Sequence, residues 1–361
     1  MNYVTIKKLL ILSCAICAAG FADQTTDENS VPYTIQQPGL PEGYNAPASI
    51  DVKGKWDFFT SAQFIYWQPS ETYLSPAWKP SVGFINPNTF VEMDFKFHPG
   101  FKAGAGMIFP RDDWSLYAEY TWMRIHDQVT GEQIFVQNVS DNLYPSWLVF
   151  DHWGRTQFEK AVGNWHHNTN IIDLQLARSM YAGTALSLKP YLGLRGTIMP
   201  QRYQVDYHYR AALHPFPVIL KAKQKTWAIG PKLGIDIQYM FGNFYKLTGG
   251  AFFALLQQHH RMHMNQRSDQ GVTTYYNMKD KYNNFSGNPG LYLGLGTGMY
   301  IYNGNAHVDV TATYDFQVFY NYNMMRNFYG HEFAAINHAR IIIDYGSLYY
   351  QGLTLAARVD F

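Results

Sequence analysis

Acidic and basic side chains recur at alternate positions inside stretches that are otherwise apolar. Within residues 227–239, Lys232 and Asp236 fall on the face opposite to Leu233 and Ile235. A β-strand places successive side chains on opposite faces, so both charges share one side of the predicted strand. Charges held against a low-dielectric wall need water or an ionic partner. The pattern therefore indicates either charges that pair with each other or a water-filled channel.

If such strands close on themselves, the charged side chains form one inward-facing set. Two interpretations of that set stay open. The side chains pair across neighbouring strands and fill a narrow lumen, or they line an aqueous channel and set its ion preference. Because the two signs are nearly balanced, a channel would be weakly selective. The candidate lumen residues are Lys96, Lys102, Glu119, Asp173, Lys189, Arg195, Lys232, Asp236, Lys246, Asp309, Asp315 and Arg358.

Three histidines lie close together in the chain at His259, His260 and His263. His259 and His263 would share one strand face, which is an arrangement that a metal ion can use. No carboxylate or further histidine follows at a ligand spacing, and surface histidines are commonly solvated. We therefore expect neither a metal site nor a cofactor.

Asp and His residues that would activate water stand near predicted loops: Asp127 with His126, Asp151 with His152, and His338. Pairs of this kind on the rim of a β-barrel can serve as the catalytic groups of an aspartyl-type protease. Spacing along the chain does not show that these side chains converge. We therefore expect no enzyme activity and no catalytic residues.

The first 22 residues have the pattern of a Sec signal peptide. Lys7 and Lys8 precede an apolar core at 9–19, and small residues at positions 20 and 22 predict cleavage before Asp23. Lipidation at one of the two cysteines is the alternative. Cleavage would leave a chain without thiols. The prediction is a signal peptide at 1–22, a flexible periplasmic segment at 23–55 and one further domain at 56–361.

The composition separates this chain from most soluble domains. Of its 361 residues, 15% are charged and 17% are aromatic, whereas soluble domains have about 25% charged residues. Beyond the N-terminus no apolar run is long enough to cross a bilayer as a helix. The net charge is +1 without blocks of one sign, so nucleic acid is not an expected partner. Strands that alternate between lipid and water produce this combination.

Period-two alternation predicts an all-β fold, namely a transmembrane antiparallel up-and-down β-barrel of about ten strands. Twelve strands is the alternative, because 129–153 and 334–345 also contain strand-like runs. The connections alternate between short turns and five long loops, which we place at 69–93, 126–167, 201–221, 259–289 and 321–347. The predicted strands are 56–68, 94–108, 113–125, 168–180, 186–200, 222–239, 244–258, 290–302, 306–320 and 348–361.

The C-terminal strand carries the sharpest local pattern. Leu355, Val359 and Phe361 share one face, whereas Arg358 and Asp360 share the other. A terminal strand that ends in an aromatic residue is what outer-membrane assembly machinery recognises. We therefore predict that Leu355, Val359 and Phe361 form the assembly signal.

Several stretches resemble the Legionella-type major outer membrane protein family, which also occurs in chlamydia-related bacteria. The stretches are 56–59, 64–68, 165–178, 186–196 and 351–361, so the resemblance covers the chain from about Trp56 to its end. It implies an abundant outer-membrane barrel that is porin-like or structural. It implies no catalytic residues.

These observations predict a porin-like or structural major outer membrane protein. A surface adhesin or receptor barrel without a pore is the alternative, and an outer-membrane protease is a weaker one. The expected partners are outer-membrane lipid and lipopolysaccharide, the outer-membrane assembly machinery and, as a point left open, further copies of the chain. The expected location is the bacterial outer membrane.

Overall fold

Ten long strands make up most of the computed structural model, which describes residues 57–79, 89–109, 113–132, 135–136, 139–140, 143–147, 158–183, 185–208, 217–241, 245–268, 274–302, 305–325, 327–329, 340–342 and 345–361. In chain order the strands are β1 Asp57–Glu71, β2 His98–Ile108, β3 Trp114–Glu132, β4 Lys160–Arg178, β5 Leu186–Ile198 continued by Gln201–His208, β6 Val218–Phe241, β7 Tyr245–Ser268, β8 Thr274–Ile301, β9 Ala306–Asn323 and β10 Gly346–Asp360.

The strands form a closed antiparallel barrel. Each is hydrogen-bonded to its neighbours in sequence, and β1 closes the ring by pairing with both β2 and β10. At the seam, Ala62 of β1 lies opposite Ala103 of β2 and Ala357 of β10. Closure satisfies the backbone donors and acceptors that a sheet edge would leave unpaired. Unpaired backbone groups are not tolerated inside a bilayer. The predicted ten-stranded barrel is confirmed.

The twelve-strand alternative is wrong. The strand-like runs near 135–145 form short pairings outside the barrel: Phe135–Val136 pairs with Val139–Ser140, and Tyr144–Pro145 pairs with Ala77–Lys79. Likewise Arg340–Ile342 pairs with Asn327–Tyr329 and not with a barrel strand. Runs of this length satisfy their backbone groups in short pairings outside the barrel and do not cross the bilayer.

Lipid-facing side chains form a continuous apolar belt around the barrel. On β6, the residues Ile229, Leu233 and Ile237 are 52%, 57% and 40% exposed, whereas Lys232 between them is 4% exposed. The belt ends at the upper side near Tyr66, Trp122, Trp227 and Phe285, and aromatic rings suit such an interface. An outer-membrane barrel needs an apolar band about 25 Å tall.

Several strands continue well beyond this belt. β6 and β7 each have 24 residues and β8 has 28, whereas a tilted strand crosses a bilayer in about 10. We call the strand residues beyond the belt on β3 to β8 the upper wall. The predicted loops 126–167, 201–221 and 259–289 were therefore too long. Strand pairing persists there because the inward face stays packed after the outward face becomes polar.

The two ends of the barrel differ. Phe58 and Phe361 hydrogen-bond each other's backbone at 3.1 and 2.9 Å, so the first and last strands begin and end together. The short connections β2–β3, β4–β5, β6–β7 and β8–β9 lie at this lower end, and the long ones lie at the other. In outer-membrane barrels the short turns face the periplasm. The predicted alternation of short and long connections is confirmed.

The predicted signal peptide and the segment 23–55 lie outside the described residues. Within the part of the chain that is described, no helix has the length and apolar character needed to cross a membrane.

Candidate functional site

A buried ion cluster crosses the middle of the lumen. Arg195 of β5 donates hydrogen bonds to both carboxylate oxygens of Asp173 on β4, at 2.7 Å from Nε and 2.6 Å from Nη2. Lys232 of β6 donates to Asp173 Oδ2 at 3.0 Å. All three residues are at most 4% exposed. The cluster contains one carboxylate, that of Asp173, and two cations, Arg195 and Lys232. Because one negative charge does not balance two positive charges, the cations need further partners.

Those partners come from the opposite wall. Arg195 Nη1 donates to Asn288 Oδ1 of β8 at 2.5 Å and approaches Gln317 Oε1 of β9 at 3.4 Å. The ring of Phe252 on β7 lies under both cations, 4.4 Å from Arg195 and 4.7 Å from Lys232. Cations over an aromatic face gain electrostatic stabilisation when they are desolvated. Side chains from opposite walls therefore meet across the barrel.

A second cluster of polar side chains lies between β2, β9 and β10. Lys102 Nζ contacts Asp315 Oδ2 at 3.3 Å, and Thr354 donates to the same oxygen at 2.8 Å. The indole Nε1 of Trp67 donates to Thr354 at 3.1 Å, and its ring lies 4.7 Å from Lys102 Nζ. Lys102 is thus held in place by a carboxylate and by an aromatic face.

The lower half of the lumen contains a cavity of about 270 Å³. Glu119 accepts hydrogen bonds there from Gln63 at 2.8 Å and from the Tyr117 hydroxyl at 2.9 Å. Asp236 accepts one from Tyr292 at 2.8 Å. The carboxylates in this cavity therefore have partners, and the space between them is large enough for water but not for a wide pore.

Nine of the predicted lumen residues line this cavity, namely Lys102, Glu119, Lys189, Arg195, Lys232, Asp236, Asp309, Asp315 and Arg358. Asp173 is buried in the ion cluster, and Lys246 is paired with Asp309. Arg358, which also lines the cavity, forms an ion pair with Asp360 of its own strand.

Lys96 does not lie in the lumen. It is exposed in the extended segment before β2, whose pairing begins two residues later at His98. The alternation that fixed the inward face of β2 therefore does not reach Lys96, and its assignment to the lumen was wrong.

Aromatic side chains fill the lumen above the ion cluster. His167 of β4 receives the ring of Tyr322 from β9 at a centroid distance of 5.6 Å, and it hydrogen-bonds the hydroxyl of Tyr350 of β10 at 2.8 Å. Trp165 stacks on His167 at 5.4 Å, and Trp67 packs against Tyr350 at 5.9 Å. We call Trp67, Trp165, His167, Tyr322 and Tyr350 the aromatic plug. Each is at most 2% exposed.

A short segment after β1 closes the upper mouth. The Tyr207 hydroxyl donates to the Pro76 carbonyl at 2.6 Å, Trp147 Nε1 donates to the Ser75 carbonyl at 3.0 Å, and Tyr203 donates to the Leu74 carbonyl. We call residues 72–79 the mouth segment. Sequence reasoning missed it, although the inward position of large aromatic residues on β4 and β5 was a signal that the lumen is filled.

Of the histidines and rim acids that were considered, the structure describes His259, His260, His263, His126 and Asp127, and it does not bring these five into one site. His259 and His263 face outward, whereas His260 is buried in the wall. Among the described residues, no three metal-ligating side chains come together. His126 faces outward and contacts His166, but Asp127 points inward and pairs with His98 at 2.9 Å. Asp151, His152 and His338 lie outside the described residues.

The family model described as Legionella pneumophila major outer membrane protein precursor matches residues 50–351. No curated protein sequence matches the chain.

Two solved structures resemble this chain at low sequence identity. The outer membrane protease OmpT from Escherichia coli has 9% identity and a TM-score of 0.39, over 87% of this chain and 99% of that one. A FadL homologue from Pseudomonas aeruginosa has 8% identity and a TM-score of 0.27, over 89% and 98%.

The family match covers most of the chain, and the fold that it implies is the closed barrel with an apolar belt described above. The chain therefore belongs to the Legionella pneumophila major outer membrane protein family and is a β-barrel protein of the outer membrane.

Proposed function

We propose that this protein is a structural outer-membrane barrel whose lumen is closed to bulk solutes, and not an open diffusion pore. The observation that carries the proposal is the contact between opposite walls in the ion cluster, where Arg195 joins Asp173 of β4 to Asn288 of β8. An open porin of this width would need those side chains to line the wall and leave the centre to water.

The energetics of the ion cluster support closure. Separating Arg195 from Asp173 without replacement partners leaves buried charges uncompensated, which costs several kcal/mol. The aromatic plug adds a second barrier, because His167, Tyr322 and Tyr350 touch across the lumen. A solute would have to displace both layers and the mouth segment above them.

Planar-bilayer conductance tests the proposal. We expect the purified protein to give no steps of reproducible size, even at high protein load. The variant that combines Arg195→Ala, Tyr322→Ala and Tyr207→Phe should admit ions, because it removes one contact from each layer and one that holds the mouth segment. Arg358→Ala is a matched control, since Arg358 pairs along its own strand with Asp360 at 2.5 Å and joins no opposite walls.

The outcomes separate the proposal from a porin. Regular steps from the unmodified protein would overturn it. Conductance gained by the triple variant but not by Arg358→Ala would support it, and heat-modifiable gel mobility would show that each variant is a folded barrel.

A further inference from the structure

A field of basic side chains covers the outward face of the upper wall, directly above the apolar belt. Lys225 lies two residues beyond Trp227, which is 49% exposed at the belt edge. Two strand residues correspond to about 7 Å. We call this field the basic face; its members are Arg202 of β5, Lys221, Lys223 and Lys225 of β6, Arg261 of β7, and Lys279 and Lys281 of β8.

The strand register arranges these cations in rows. Lys225 lies opposite Arg261, which lies opposite Lys281. One step higher, Arg202 lies opposite Lys223, and Lys223 opposite His263. Neighbouring strands are about 4.8 Å apart, and like charges directly opposite each other destabilise a sheet. The rows are therefore electrostatically unfavourable unless an anion bridges them.

Within the described part of the chain, carboxylates do not pair with the basic face. Across the described residues, none of its seven members forms an ion pair with a carboxylate. Arg261 Nε donates to the ring nitrogen Nε2 of His259 at 3.4 Å. Asp206 carries the one carboxylate among the described outward positions of β5 to β8 above the belt, and it accepts a hydrogen bond from Gln204 at 2.9 Å.

The basic face occupies one sector of the barrel. On the other side, β1 and β10 present Gln68 and Gln351 at the corresponding height, and these amides hydrogen-bond each other at 3.0 Å. β9 presents Tyr320, which is 44% exposed. A general attraction of the barrel to an anionic surface would distribute the charge around the rim. Concentration in one sector indicates a ligand of limited size.

We propose that the basic face binds the phosphate groups of a phosphorylated glycolipid of the outer leaflet, namely the lipid A part of lipopolysaccharide. Because the basic face lies directly above the apolar belt, the ligand that fits it is a membrane lipid. Acyl chains packed against Trp227, Leu255 and Leu293 bring a headgroup to the lower row of cations, which we call the first row. Arg261 stands at the centre of that row, and a guanidinium can bind a phosphate through two parallel hydrogen bonds.

The spacing of the rows fits more than one phosphate. A headgroup anion at the first row contacts Lys225, Arg261 and Lys281, and a second anion one row higher meets Arg202, Lys223 and Lys279. Binding then relieves the like-charge repulsion between opposite residues. Attraction of this kind is screened by salt over about 10 Å at 0.1 M ionic strength.

Binding of lipid A to the purified protein in detergent micelles tests the proposal by titration calorimetry. The test variant is Lys225→Gln with Arg261→Gln and Lys281→Gln. Each basic residue near an anionic lipid contributes enough that we expect affinity to fall by about tenfold or more. The charge-preserving variant K225R/R261K/K281R should keep most of the affinity. These positions are exposed, and heat-modifiable mobility checks that each variant folds.

The control variant is Arg124→Gln with Lys160→Gln and Arg178→Gln, which removes the same charge from outward positions of β3 and β4. It should bind lipid A as the unmodified protein does. Dephosphorylated lipid A and inorganic phosphate are the comparison ligands, and both should bind much more weakly.

Four outcomes would overturn the proposal. These are unchanged affinity in the test variant, an equal loss in the control variant, tight binding of dephosphorylated lipid A, and inorganic phosphate binding as tightly as lipid A. The last would show that the ligand is a free anion and not a membrane lipid.

Discussion

Arg195 and Asp173 occupy directly opposite positions on β5 and β4, and their side chains form two parallel hydrogen bonds of 2.6 and 2.7 Å inside the barrel. A bidentate pair of this kind is among the stronger polar contacts in proteins. Because both residues are buried, removing only one of them leaves the other as an uncompensated buried charge, which costs several kcal/mol.

Arg195→Ala should destabilise the barrel by about 3 kcal/mol, because Asp173 would retain only Lys232 as a charged partner. Urea unfolding in micelles measures the change in free energy. Replacing the whole cluster, as D173L/R195M/K232M, should cost less than the single change, since no buried charge is then left alone. If the single variant unfolds at the same urea concentration as the parent, the cluster does not hold the wall.

Removing two hydroxyls should loosen the mouth segment. Tyr207 donates to Pro76 at 2.6 Å and Tyr203 donates to Leu74, and each buried carbonyl left unpaired costs about 1–3 kcal/mol. In the variant Tyr203→Phe with Tyr207→Phe, peptides covering 72–79 should exchange backbone deuterium faster, as measured by mass spectrometry. The control is Tyr320→Phe, an exposed ring on β9. Equal exchange in the double variant and the parent would contradict the assignment.

Gly104 is needed because an aromatic ring occupies the place of its side chain. A Cβ built on Gly104 would lie within 2.6 Å of the Tyr117 ring, which is held by hydrogen bonds to Ser61 at 2.7 Å and Glu119 at 2.9 Å. Gly104→Ala should therefore cost about 1–3 kcal/mol in unfolding free energy.

The double variant Gly104→Ala with Tyr117→Leu isolates that clash. A smaller side chain at 117 leaves room for the methyl group, so the alanine should cost much less in that background. A double-mutant cycle measures the difference. An equal cost in both backgrounds would show that the ring is not the cause.

Much of the barrel follows from local sequence pattern. The alternation in 227–239 fixed which side of β6 meets lipid, and the residues assigned inward there, Lys232 and Asp236, line the cavity. Turn residues such as those at 241–243 marked the short connections. Both signals are local, because side-chain direction has a period of two in any strand.

The upper wall and the mouth segment depend on longer-range relations. Arg202, Lys221 and Arg261 alternate with buried residues as well as the belt residues do, but their outward face is basic, so the alternation did not match a lipid-facing strand and they were predicted to lie in loops. The mouth segment is held by Tyr203, which is 129 positions from Leu74 in the chain. No pattern within 72–79 predicts that contact.

The C-terminal aromatic residue should matter for assembly more than for stability. Phe361 exchanges backbone hydrogen bonds with Phe58, and its ring is 51% exposed toward lipid. Phe361→Ala keeps both backbone bonds, so unfolding in micelles should change by about 1 kcal/mol or less. In cells, however, the same change should lower the fraction of heat-modifiable barrel in the outer membrane and leave unassembled chain in the periplasm.

The matched control is Phe285→Ala, which removes a ring that is 68% exposed at the belt edge but lies far from the C-terminus. If both variants assemble equally poorly, the effect comes from losing a lipid-facing ring, and the terminal residue is not a recognition signal.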